Sequence, residues 1–193
     1  KRLGEILDEM RSRSRMRLEG ASHSAAVARA CSYFSPVRAF DDMTGGIEYF
    51  HFLEKTAAAY SKDENFRKEL ARKLKETAGK LFAADNLMVS YTADEEGYKA
   101  LPEELKKFKA ALSSGPSKRY TFEFTPELKN EGFKTSSKVN YVARCGSFDA
   151  EAYTGALEVL KVIMNYEYLW QNLRVIGGAY GCMSSFGRSG TGC

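Results

Sequence analysis

Apolar side chains recur every three or four positions through the first 112 residues, which is the period of amphipathic helices. Residues 1 to 19 place Leu3, Ile6, Leu7 and Met10 on one face with charges opposite. Ser22 or Ser24 can cap a second helix running to Tyr33, closed by Ser35-Pro36 because the residue before a proline avoids the helical region. Thr44 is placed to cap a third helix carrying Ile47, Phe50, Phe52, Leu53 and Ala57. A fourth runs from near Asp63 to about Leu81, with Phe66, Leu70, Leu74 and Leu81 as its stripe. The period then shifts to two over Asn86 to Thr92, the alternation of a strand, and residues 95 to 112 return to helix.

Ser113-Ser114-Gly115-Pro116-Ser117-Lys118 has linker composition, and the chemistry changes beyond it. Tyr120 to Phe124 alternates aromatic and polar residues, and Lys138 to Cys145 alternates again, so both read as strands. Residues 150 to 164 carry the helical stripe Ala152, Ala156, Val159, Leu160 and Ile163. Tyr168 to Arg174 reads as a short helix and Gly178 to Phe186 as a strand. The expected class is α+β, with helices packed on an antiparallel sheet. The expected organisation is a mostly helical part over 1–112, a linker over 113–119 and a mixed part over 120–193.

Composition narrows the classes rather than choosing one. Hydrophobic residues make up 44% and charged residues 28%, an ordinary globular balance. The net charge of +4, from 29 basic and 25 acidic residues, is too small and too mixed to argue for nucleic acid. Arg11, Arg13, Arg15 and Arg17 spread around a helix without interleaved aromatics, which favours a solvated helix over a nucleic-acid arm. No run approaches 18 apolar residues, so neither a membrane span nor membrane association is expected. Cysteines 31, 145, 182 and 193 show no C-x-x-C pair and no histidine at zinc-ligand spacing, which suggests reduced thiols in a reducing compartment.

Few residues carry chemistry by pattern alone. His51-Phe52-Leu53-Glu54-Lys55 matches the inverted zinc motif H-x-x-E-H except for Lys55, so no metal site is expected there. His23 and Cys31 lie two helical turns apart, too far for a nucleophile pair. Arg174 ends one helix, Gly177-Gly178 breaks it, and Tyr180 lies on the segment that follows. A guanidinium offers a fixed fork of donors and a phenol one directional donor, so the two together suit a polarised carbonyl. The residues alone leave open a plainer reading, in which Arg174 pairs with a surface carboxylate and Tyr180 fills a sheet face.

The stretch from Lys138 to Gly181 resembles the M16C metallopeptidases, the presequence-protease branch of the insulinase family. The resemblance rests on Val139-Asn140-Tyr141-Val142-Ala143, Tyr153-Thr154-Gly155-Ala156-Leu157, Tyr168-Leu169-Trp170 and the Arg174-to-Tyr180 motif. Gly20 to Ala25 and Gly46 to Phe50 match more loosely. The resemblance implies two incomplete M16 subdomains of LuxS/metallohydrolase-like fold, the back of a third unit and the front of a fourth. It implies that Arg174, Tyr180, Gly177 and Gly178 bind substrate, with no catalytic or metal-binding residue in this chain. Zinc and the glutamate base would belong to the N-terminal catalytic half of a parent polypeptide, which acts on unfolded peptides in a closed chamber. The alternative is a non-catalytic M16-like peptide-binding or scaffold subunit.

On that reading both ends, Lys1-Arg2-Leu3-Gly4 and Ser189 to Cys193, look cut from a longer frame. The chain alone is expected to hydrolyse nothing and to bind no stoichiometric zinc. The expected compartment is the bacterial cytoplasm or an organelle matrix.

Overall fold

A computed structural model describes residues 2–114, 120–125 and 127–193. Helix α1 spans Arg2–Gly20, α2 Ser22–Ser32, α3 Pro36–Gly45, α4 Ile47–Lys62, α5 Glu64–Leu81 and α6 Glu95–Ala110. Helix α7, Gly155–Ile163, widens directly into a π-helix over Met164–Ile176. Three two-residue strands, β1 Gly146–Ser147, β2 Phe186–Gly187 and β3 Thr191–Gly192, form an antiparallel sheet in the order β1-β3-β2. Helices dominate and the sheet is small, an α+β arrangement.

Local chemistry explains most helix limits. Asp63 accepts from the backbone N–H groups of Asn65 and Phe66 at the start of α5, and Asp94 accepts from Gly97 at the start of α6. The arginines of α1 pair along its surface, Arg11 with Asp8 at 3.1 Å and Arg15 with Glu19 at 2.9 Å. Such exposed pairs add little to stability, because water and salt screen them.

Helix α3 is absent from the sequence expectation, which stopped at Ser35-Pro36. The same dipeptide starts a helix: Ser35 caps it by accepting from Arg38 N, and Pro36 occupies the first turn, where its missing N–H is not needed. Thr44 does not cap α4. Its hydroxyl donates back to Phe40 O, and the α4 N-terminus is held by Asp42, whose Oδ1 accepts from Ile47 N at 2.8 Å. Gly46 makes room for this, since a Cβ there would lie 2.8 Å from the Asp42 Cα.

The chain divides into two compact units, Lys1–Ala58 with Phe122–Cys193, and Ala59–Thr121. In the first, the interior is built from Leu7, Cys31, Ile47, Leu53 and Ala57 of the helices, with Leu53 1% exposed. The segment from Phe122 to Cys145 lies along these helices through Phe40–Phe122, His51–Phe133 and His23–Tyr141 ring contacts. In the second, Ser113 bridges back to the end of α5, accepting from Ala84 N at 2.9 Å and donating from its hydroxyl to Gly79 O at 2.6 Å. The linker expected over 113–119 therefore begins at an anchored residue, and its positions 115–119 lie outside the described residues.

Three expected strands do not form, and a fourth survives only at its end. Residues 86–92 begin in a 3-10 turn, Ala84–Asn86, and then lack regular structure. Residues 120–124 and 138–145 likewise form no ladder among the described residues, and of 178–186 only Phe186 lies in a strand, β2. Alternation creates a face, but a strand exists only when a neighbour satisfies its N–H and C=O groups. Several large side chains of these stretches stay in solvent: Tyr120 is 73% exposed, Val142 96% and Tyr180 90%.

The stripe expected to be buried along 150–164 is also open, with Val159, Leu160 and Ile163 all exposed. The chain exposes 15180 Å², against roughly 9,000 Å² for one compact chain of this mass and roughly 11,000 Å² for two separately compact units. Much apolar surface is thus left without a cover inside this chain.

Candidate functional site

The π-helix and its exit position the residues singled out by sequence. Trp170 and Arg174 are four residues apart on one helical face, and the Arg174 guanidinium lies 4.3 Å from the Trp170 ring centroid. The Tyr180 ring lies 5.7 Å from the same guanidinium. Arg174 Nη1 also donates to the backbone carbonyl of Tyr180. The cation is therefore in contact with two aromatic rings and tied to the segment that carries one of them. Contacts of this kind at exposed sites are each worth about 0.5–1 kcal/mol. A guanidinium has five N–H donors, so others remain for a ligand.

The turn between them is set by the two glycines. Gly177 N donates to Asn172 O, Gly178 N to Arg174 O and Ala179 N to Leu173 O, at 3.1, 3.1 and 2.9 Å, satisfying three of the last helical carbonyls. Gly178 has φ of +69°, the left-handed region that costs a residue with a Cβ roughly 1–2 kcal/mol. Gly178→Ala is accordingly expected to lower the stability of the chain by about 1 kcal/mol. A urea midpoint equal to that of the unaltered chain would contradict the turn described. The sequence pattern singles out Arg174, Gly177, Gly178 and Tyr180 but assigns Trp170 no role beside Arg174; its spacing of four is the available signal.

The partial zinc motif stays apart from this site in chemistry. His51 lies beside Phe50 and Phe133, with ring centroids 6.1 and 6.3 Å away, and Lys55 is exposed. A protonated amine has no lone pair to offer a metal. The donor set of a catalytic H-x-x-E-H zinc is therefore not met at 51–55.

A cleft of about 1070 Å³ runs between α1, α2, α4 and residues 129–143. Part of its charge is already paired. Arg29 donates from Nε and Nη2 to Glu131, at 2.8 and 3.1 Å, and from Nη1 to Asp42 at 2.6 Å, while Tyr33 Oη bonds to Glu131. These carboxylates, Glu131 first, hold the Arg29 guanidinium even more firmly protonated than usual.

Another constellation escaped the sequence entirely. The Sγ atoms of Cys31, Cys145 and Cys193 all lie within 4.8 Å of one another. Cys31 and Cys145 are 3.3 Å apart, in hydrogen-bond contact. That bond stabilises a thiolate on Cys31 and so moves its pKa down, while the Cys145 thiol is moved up by the same contact. No local spacing signals the group, because its members come from three distant segments.

Residues 1–55 match the family model described as peptidase M16C associated. Protein HypA of Clostridium perfringens is 30% identical over 191 residues, covering 98% of this chain and 19% of that protein. Presequence protease 1, chloroplastic/mitochondrial, of Arabidopsis thaliana is 27% identical over 188 residues, covering 96% of this chain and 17% of that protein. The mitochondrial presequence protease of Yarrowia lipolytica is 28% identical over 174 residues, covering 88% and 17% respectively.

Residues 1–55 are thus an M16C-associated segment. The chain spans less than a fifth of the length of these relatives. The family model covers α1 to α3 and the first half of α4, including the Arg29–Asp42 contact. The Arg174–Tyr180 site lies outside that match, in the part where the likeness to the longer relatives carries on. No helix among the chain's described residues is long and apolar enough to cross a membrane.

Proposed function

We propose that this chain is the substrate-binding part, from the C-terminal half, of a zinc-dependent oligopeptidase that hydrolyses unfolded peptides in a closed chamber. The observation that carries the reading is the Arg174 guanidinium in contact with the rings of both Trp170 and Tyr180, with Tyr180 90% exposed. On this reading a donor from the helix end and one from the following segment bind a peptide carbonyl and support the negative charge that develops on it. Gly177 and Gly178 let the backbone turn closely enough to bring the two together.

The remaining pieces of the site, zinc and a glutamate base, belong to a part of the parent outside this chain, since the residues at 51–55 do not fit a metal. The apolar surface of α7 and of the segments 120–124 and 138–145 suits packing against further M16 subdomains, including the N-terminal catalytic half. The names of the relatives, together with four free thiols, support an organelle matrix or a bacterial cytoplasm as its place.

The parent polypeptide is expected to cleave short unfolded peptides, to lose that activity on chelation and to regain it with Zn²⁺. This chain alone is expected to cleave none. Peptide binding by the parent without hydrolysis would instead favour a non-catalytic M16-like subunit.

A further inference from the structure

The three clustered thiols are set by independent parts of the first unit. Cys31 sits in α2 and is 5% exposed. Cys145 precedes β1 and Cys193 follows β3, and the register Gly146↔Gly192, Ser147↔Thr191 places those two cysteines opposite each other one step beyond the pairing. Cys193 is further fixed by two backbone bonds with Ser185, of 2.8 and 3.0 Å. The sheet register thus presents a pair of sulfurs, and α2 brings the third against them.

Thiolates bound at about 2.3 Å around a tetrahedral ion lie about 3.8 Å apart. Cys31 and Cys145, at 3.3 Å, are about half an ångström closer than that, and all three sulfurs lie within 4.8 Å of one another, so small shifts suffice to seat an ion. A disulfide between any two would leave the third sulfur unused and would need an oxidant. A d¹⁰ cation uses all three and needs none.

We propose that Cys31, Cys145 and Cys193 bind one Zn²⁺ ion through their thiolates and so pin α2 to the β1–β3 pair. Binding is redox-neutral: the metal displaces the thiol protons to solvent, and each sulfur donates a lone pair. Three protein ligands leave a fourth position for water or for Ser185 Oγ, which lies 3.1 Å from Cys193 Sγ. The site departs from the sequence expectation of a chain without metal, because spacing along the chain cannot reveal ligands gathered by a helix and two strands. It is structural in kind and separate from any catalytic zinc.

The full chain, reduced and metal-free, should take up one equivalent of Zn²⁺ in competition with a chromophoric chelator. Co²⁺ in its place should give an intense sulfur-to-metal charge-transfer band. Cys31→Ser, Cys145→Ser and Cys193→Ser should each weaken Zn²⁺ binding by about a hundredfold or more, while Cys182→Ser leaves it unchanged. Because Cys31→Ser buries a new hydroxyl and can loosen α2 by itself, the unaltered chain supplies a second readout. Zn²⁺ should protect Cys31, Cys145 and Cys193 from alkylation and leave Cys182 as reactive as before. Absence of Zn²⁺ uptake, absence of the thiolate band, or equal protection of Cys182 would each overturn the assignment.

Discussion

Arg174→Ala or Tyr180→Phe, made in the parent peptidase, is expected to lower turnover by about 10² or more with metal content unchanged, as removal of one oxyanion donor does. The two variants report different things. Arg174→Ala removes a donor fork, but also the bond to the Tyr180 carbonyl and the stacking on Trp170, so it loosens the turn as well. Tyr180→Phe keeps the ring against Arg174 and keeps the backbone carbonyl that Arg174 holds; only the phenolic donor goes. A loss in Tyr180→Phe concentrated in kcat would therefore assign the phenol to the transition state, and a loss in KM alone would assign it to ground-state binding. Arg174→Lys should fall between, since a point charge replaces a planar fork and loses the stacking. Unchanged hydrolysis in both Arg174→Ala and Tyr180→Phe would remove these residues from the site.

The largest stability effect is expected at Arg29→Met, a loss of about 3 kcal/mol or more. The Asp42 side chain is 4% exposed and that of Arg29 14%. Asp42 uses one oxygen on Arg29 Nη1 at 2.6 Å and the other on Ile47 N at 2.8 Å, so a single carboxylate joins α2, α3 and the start of α4. Removing the guanidinium leaves that charge buried with one backbone donor, and removes the partner of Glu131 too. Met keeps much of the apolar stem, which separates the electrostatic loss from a packing loss. Adding Asp42→Leu should recover part of the deficit, because the cost lies in the unpaired charge rather than in the missing attraction. A urea midpoint for Arg29→Met that implies less than 1 kcal/mol would show the pair to be better solvated than its burial indicates.

Helix positions were legible wherever the cause was local. The stripes from Leu3 to Met10 and from Phe66 to Leu81, and the cap at Asp63, need only periodicity and one side-chain oxygen. Helix α3 was missed for a local reason too, because Ser35-Pro36 was read as a stop although proline serves equally at a first turn. Strands failed differently. Their alternation at 120–124 and 138–145 is genuine, but pairing is a property of two segments, and neither finds a partner among the described residues.

The sequence by itself determined the helical framework, the Gly177-Gly178 break and the six-residue spacing of Arg174 and Tyr180, since each follows from dihedral preference or from neighbours along the chain. Only the folded structure decided that Trp170 and Tyr180 both contact the guanidinium, that Asp42 rather than Thr44 holds the start of α4, and that Cys31, Cys145 and Cys193 meet. The first two are short in sequence and depend on where each helix ends, whereas the cysteines are joined by the paths of whole helices and by strand register. Chain closure over such distances depends on every element between, so no local pattern encodes it.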